Sequence, residues 1–311
     1  MSAFFWRTLR LGISVAVCAV TLGLIACGGD DDGGKPKVVA TLPLFADMAA
    51  NVAGDRAEVE ALLPTGADPH TYEPSPSDVR KVAEADVIFA NGFSLEPAAL
   101  RVIGANIASD AVLVELGEAT VGAGAETIED EEEAGEANPH LWMDVANARE
   151  YARIIRDTLV DRDPGGEADY NANYQTYVAL LDSTQAYLNE TVASVPEGNR
   201  RIIATHDAFV YLARAIDFEV AGFVAPSPGQ EPSPEDIRSL IATIQEFNIP
   251  AVFSEPQTDA ETATLEQIAS DAGVEVCTLY SDAFDETVTT YVDLMRYDAE
   301  ELARCLGGAG G

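Results

Sequence analysis

From Glu167 to Ser194 the chain carries one unbroken helical pattern, with Tyr170, Tyr174, Val178, Leu181 and Tyr187 recurring at three- and four-residue steps. At about 1.5 Å per residue, a helix of about 28 residues reaches roughly 40 Å. That is long enough to cross between two lobes, and the 311 residues suit two lobes better than one. On either side of it, strand-like and helix-like segments alternate. Before it come "KVVATL", the helical "FADMAANVAG", "EVEALL", a helix entered through "PSPSD", "DVIFAN" and "AVLVEL". After it come "RIIAT", a helix, "EVAGFV", a helix from Pro234 to Phe247, "AVFSE", a helix, "EVCTLY" and a last helix from Thr287 to Leu306. Such alternation predicts an α/β fold with parallel sheets covered by helices on both faces.

The first residues stand apart from this pattern. Arg7 and Arg10 precede an apolar run from Leu11 to Ala26, shorter than the roughly 20 residues that span a bilayer and laid out like a signal peptide. It ends in "LIAC", which resembles a bacterial lipobox, so Cys27 is expected to become the lipid-bearing first residue. The alternative is a plain secretory signal in which Cys27 is incidental. "GGDDDGGKPK" then reads as a polar tether. The expected organisation is signal peptide 1–26, tether 27–36, N-terminal lobe 37–166, linking helix 167–194 and C-terminal lobe 195–311. Within the first lobe, residues 117–139 are small, acidic and aperiodic, and are predicted to form a mobile surface loop.

Formal net charge is −35, which argues against nucleic acid as a partner, because phosphate contacts need lysine and arginine. Besides Cys27, the mature chain keeps Cys277 and Cys305. In an oxidising exported compartment these are expected to form a disulfide, the alternative being two buried thiols; without a CxxC they make no zinc knuckle.

Histidine occurs at only three mature positions, and two of them share a context: His70 follows "DP" and His140 follows "NP", 70 residues apart. Proline fixes its own φ and extends the residue before it, so both imidazoles are presented from stiff turns, as a metal ligand must be. His206 follows the strand "RIIAT", and Asp282 lies two residues beyond "EVCTLY". Ligands of open α/β sheets bind beyond the carboxyl ends of the strands, so one cleft is able to collect all four. Taken singly, each has a plainer role: turn hydrogen bonding for the histidines, helix capping for His206 and Asp282. Together, three imidazoles and one carboxylate make the closed tetrahedral shell that zinc takes.

Seven blocks in order, "LPTGADPHTYEPSPSD", "ANGFSLE", "NPHLWMD", "THDAFVYLA", "PGQEPSPEDI", "FSEPQTD" and "LYSDAFDE", with "TTYVDLM" close behind the last, make the chain similar to the substrate-binding lipoproteins of bacterial zinc and manganese ABC transporters. The resemblance runs from about Lys37 to the end. It implies two α/β lobes joined by one long rigid helix, with the metal between them held by His70, His140, His206 and Asp282. It also implies a monomer anchored to the bacterial cell membrane through Cys27, facing the periplasm or cell exterior, that delivers metal to a permease and its ATPase. Manganese-selective relatives commonly carry glutamate at the third ligand position, where this chain has His206, and imidazole-rich shells suit zinc. Zinc is therefore expected, with manganese or iron as the alternative; the acidic loop lacks the histidines that zinc-specific relatives often carry there.

Two other classes compete. A zinc hydrolase needs an open coordination position and a base. There is no HExxH, four ligands leave no vacancy, and Glu255 in "FSEPQ" reads as a turn residue or as a partner orienting a histidine before it reads as a base. No enzymatic activity is expected. An adhesin using metal only to fold would unfold on metal removal, whereas a binding protein would not.

Overall fold

The computed structural model describes residues 34–130 and 135–307. The signal peptide, Cys27 and most of the tether lie outside the described residues, as do positions 131–134 of the acidic segment.

The first half runs β1 (Lys37–Ala40), α1 (Pro43–Ala53), β2 (Glu58–Ala61), α2 (Pro76–Glu84), β3 (Val87–Ala90), α3 (Pro97–Asn106), β4 (Val112–Glu115), α4 (Leu116–Gly122) and α5 (Val145–Arg162). The linking helix is α6 (Glu167–Val192). The second half runs β5 (Arg201–Ala204), α7 (Val210–Ile216), β6 (Glu219–Phe223), α8 (Pro234–Phe247), β7 (Ala251–Ser254), α9 (Asp259–Ala272), β8 (Glu275–Thr278) and α10 (Tyr291–Leu306). The two four-stranded sheets share one topology, β2-β1-β3-β4 and β6-β5-β7-β8, and every pairing is parallel. In each lobe the chain starts on an inner strand, steps outward once, and returns to the other side. The gap between β1 and β3, or between β5 and β7, is thus the point where the winding reverses and where ligands collect.

Local chemistry sets the helix starts. Pro76 and Pro234 sit in the first turn, where a missing N–H costs nothing. The Asp78 carboxylate accepts from Ser75 N at 2.7 Å and Asp236 from Ser233 N at 2.8 Å, so each helix begins with an acid turned back on its own cap. Such starts fix where the preceding loop ends, and the loop before α2 carries His70.

Helix α6 buries Tyr170, Tyr177, Leu181, Thr184, Leu188 and Val192 on one stripe against α5, α10 and α1. Its 26 residues span about 39 Å and serve both lobes. One continuous core surrounds it, joining Phe45, Trp142 and Tyr151 of the first half to Tyr211, Phe253 and Tyr291 of the second. The buried stripe is centred on Tyr177 and Leu188; Tyr174, Val178 and Tyr187 from the predicted pattern lie only half-buried beside it.

The described parts of the segment expected as a mobile loop, 117–130 and 135–139, include regular structure and long-range bonds. Its first residues form α4, with Leu116 and Thr120 buried. Beyond it, Glu129 and Ala137 form an antiparallel bridge. Its partners lie far along the chain: Ile128 N donates to the Tyr211 hydroxyl at 3.1 Å, and Arg214 donates to Glu126 O at 3.3 Å. The residues after α4 up to Ile128 form a strap laid from the first lobe onto α7. Among the described residues no helix is long and apolar enough to cross a membrane.

Candidate metal centre

Each [DN]-P-H tripeptide forms the same local device. Asp68 Oδ1 accepts from His70 N at 2.9 Å, and Asn138 Oδ1 accepts from His140 N at 3.1 Å. The Asx side chain thus closes a turn over the proline and fixes the histidine backbone. His206 follows β5 at its carboxyl end, and Asp282 lies in the segment after β8. His206 and Asp282 are fully buried, His140 is 2% exposed, and only His70 reaches the cleft mouth, with its side chain 11% exposed.

The ring Nε2 atoms and the Asp282 carboxylate face one another. Asp282 Oδ2 lies 3.2 Å from His206 Nε2 and 3.7 Å from His70 Nε2; Oδ1 lies 3.4 Å from His140 Nε2. The Nε2 atoms of His140 and His206 are 3.3 Å apart. One ligand atom from each of the four residues lies within 4.8 Å of all the others. In a tetrahedral zinc shell with bonds near 2.0 to 2.2 Å, neighbouring donors stand about 3.3 to 3.6 Å apart, so this spacing needs little adjustment to hold a cation. His70 Nε2 and both Asp282 oxygens are buried without a hydrogen bond, a costly state that a central cation relieves.

Electrostatics prepare the same site. Burial pushes the His70 imidazole down to about 3, against the pull of Asp282, so it stands neutral with a lone pair to offer. For His206 burial works in the same sense, but Glu255 and Asp282 outweigh it and raise its pKa well above the ordinary imidazole value. Burial disfavours the Asp282 anion, yet His140 and His206 hold its pKa well below the usual carboxylate range.

Behind the donors stands Glu255, buried at the end of β7. It accepts from His206 Nδ1 at 2.9 Å and from the hydroxyls of Thr205 and Ser281. A carboxylate on Nδ1 turns the Nε2 lone pair toward the cluster and makes it more basic. Glu255, which the sequence offers as a turn residue, a histidine-orienting partner or a base, touches His206 directly. His140 takes a neutral partner instead, Asn138 Oδ1 at 3.0 Å from its Nδ1, and His70 Nδ1 faces Ser227 Oγ of the other lobe at 3.4 Å. Trp142 joins the lobes beside the site, its Nε1 donating to Ser281 O at 3.1 Å. Asn138, Thr205, Ser281 and Ser227 were not singled out in the sequence, although three of them adjoin a ligand or its proline in the chain. Cys277 and Cys305 are bonded to each other, tying β8 to α10.

Two parallel-sheet lobes closed over a buried set of imidazole and carboxylate donors define a solute-binding protein for a divalent metal ion. The chain belongs to the family described as zinc-uptake complex component A, periplasmic, whose profile matches residues 38–305. It is 31% identical over 302 residues to the manganese-binding lipoprotein MntA of Halalkalibacterium halodurans, covering 94% of this chain and 97% of that one. With the manganese ABC transporter substrate-binding lipoprotein PsaA of Streptococcus pneumoniae it shares 29% identity over 317 residues, covering 96% of this chain and 99% of the relative. Among solved structures it is similar to the periplasmic zinc binding protein TroA from Treponema pallidum, with a TM-score of 0.80, 29% identity, and coverage of 88% of this chain and 99% of that one. The chain is accordingly a substrate-binding component of a metal ABC transporter, and the family is one of solute-binding proteins and not of enzymes.

Proposed function

We propose that this protein captures zinc outside the cytoplasmic membrane and passes it to a membrane permease driven by an ATPase. His70, His140, His206 and Asp282 are the ligands, and metal is cargo held by reversible chelation. The observation that carries this reading is the convergence of three imidazoles on one carboxylate, each Nε2 3.2 to 3.7 Å from an Asp282 oxygen and all four ligand atoms within 4.8 Å of one another. Three imidazoles to one carboxylate favour zinc over manganese, which prefers more oxygen ligands and higher coordination. Charge supports the same reading. Asp282 and Glu255 are both buried, and a divalent cation neutralises the pair. Manganese is the second reading, favoured by the relatives named for that metal.

The "LIAC" sequence supports lipid attachment at Cys27, which would hold a monomer at the membrane surface near its permease. Competitive titration of the metal-stripped mature domain with zinc and manganese at neutral pH tests the reading. One equivalent of zinc held more tightly than manganese is expected. Tighter manganese would transfer the protein to manganese uptake, and no stoichiometric binding of either would contradict the ligand assignment.

A further inference from the structure

Asn138 does more than close its turn. Its Oδ1 accepts the backbone N–H of His140, which identifies that atom as the amide oxygen. The same oxygen lies 3.0 Å from His140 Nδ1, so the ring must carry its proton there and turn the Nε2 lone pair toward the cluster. The amide nitrogen points the other way, into the second lobe. Nδ2 donates to Asp207 O at 2.8 Å and to Asp207 Oδ2 at 3.2 Å, and Asp207 is the residue after His206. All of this is buried, with Asn138 itself at 0% exposure.

The surrounding bonds hold Asn138 in place from both sides. Asn91, just beyond β3, donates from Nδ2 to Pro139 O at 2.9 Å, and is itself oriented by the Tyr151 hydroxyl at 2.7 Å. From the second lobe, the Tyr211 hydroxyl donates to Asn138 O at 3.0 Å. One side chain therefore sets the ring state of a first-lobe ligand and grips the backbone beside a second-lobe ligand.

We infer that Asn138 is a positioning residue that latches the lobes together: its amide oxygen orients His140 for metal while its amide nitrogen clamps Asp207, so opening the cleft and loosening His140 are one event. This rests on the metal-capture reading above. The latch is expected to govern how fast metal leaves, because its second half bridges the two lobes.

Asn138→Asp separates the two halves. The carboxylate still accepts from His140, but loses both N–H donors and sets an anion against Asp207. Zinc dissociation, followed by stopped-flow capture into excess chelator, is expected to accelerate about tenfold or more, the scale of losing the two buried hydrogen bonds to Asp207. Association should change less than about twofold. Asn138→Ala, which removes both halves, should release zinc faster still. An unchanged dissociation rate in Asn138→Asp, or an association rate that falls in parallel, would overturn the latch. The metal-free protein gives a readout independent of zinc capture: long-range ¹⁵N–¹H NMR should find His140 protonated on Nδ1 in the unaltered chain and in Asn138→Asp, and on both nitrogens in exchange in Asn138→Ala. An Nε2–H ring in the unaltered chain would overturn the latch, whereas absent zinc binding with an Nδ1–H ring would overturn only the cargo.

Discussion

The two lobes carry the same buried device and put it to different uses. In each, the inner strand that begins the lobe ends in a threonine, Thr41 after β1 and Thr205 after β5. Each hydroxyl donates to a buried glutamate lying beyond the neighbouring strand: Thr41 to Glu96 at 2.8 Å, and Thr205 to Glu255. The residue after the threonine decides the outcome. In the first lobe it is Leu42, fully buried in the core, and Glu96 spends its remaining bond on Asn91 N at 2.7 Å. In the second it is His206, and Glu255 turns its ring toward Asp282 and the other histidines. A threonine–glutamate pair at the strand ends is thus a general way to brace loops; it becomes half of a metal centre only where an imidazole follows.

The lobes should differ most at that imidazole. His206→Ala should lower zinc affinity on the order of a thousandfold, about 4 kcal/mol, while the metal-free fold persists; chelator competition together with a thermal melt checks both parts. An unfolded metal-free protein would point instead to a metal used for folding.

Next in size is the effect of the first-lobe glutamate on stability. Burial pushes Glu96 up to about 7, above the ordinary carboxylate value of 4.5, and one oxygen has no hydrogen bond. The folded state therefore holds this proton more tightly than the unfolded chain does. Stability from this group is present below about pH 4.5 and is lost as pH rises through about 7. Glu96→Gln should remove that loss, raising stability at about pH 8 by up to about 3 kcal/mol and changing little near pH 4. Denaturant unfolding at both pH values is the check; equal effects at the two would contradict the burial argument.

The same glutamine replacement distinguishes the lobes by metal affinity. Glu255→Gln weakens the acceptor on His206 Nδ1 and should cost about 10- to 100-fold in zinc binding, whereas Glu96→Gln should leave it within about twofold. Comparable losses in both variants would mean that neither glutamate acts through a particular ligand.

The smallest expected effect is a pH slope. His206 has its pKa raised by Glu255 and Asp282 in spite of burial, so zinc binding is expected to displace a proton from it. Affinity should rise about tenfold per pH unit while the pH is below the folded-state pKa of His206, and level off above it. Titration in buffers of differing ionisation enthalpy would count the released proton, and zero protons released would contradict the coupling.

Much of this centre was legible in the chain because proline and strand ends leave strong local marks. His70 and His140 stood out through their shared tripeptide, and His206 and Asp282 through their places after β5 and β8. Glu255 was visible but ambiguous, since its role depends on Thr205, His206 and Ser281, two of them about fifty residues away and the third twenty-six. The strap after α4 leaves little mark in the sequence for a related reason. Its small acidic residues have no periodicity, and its order comes from Tyr211 and Arg214 of a helix more than eighty residues on. Helix α7 begins at Val210, not directly after His206, because Asp207 and Ala208 belong to the buried turn that carries the ligand. Helix α3 leaves little trace in the sequence, since "PAALRVIGAN" buries only Ala98, Ala99 and Ile103 and shows a weak apolar stripe.

Four named side chains, two contributed from each half, are expected to close around one zinc ion. Zinc K-edge X-ray absorption on the loaded mature domain tests this directly. The expected spectrum has about four light-atom neighbours near 2.0 to 2.2 Å, with imidazole scattering for three of them and no sulfur. One or two imidazoles, or a sulfur neighbour near 2.3 Å, would contradict the site.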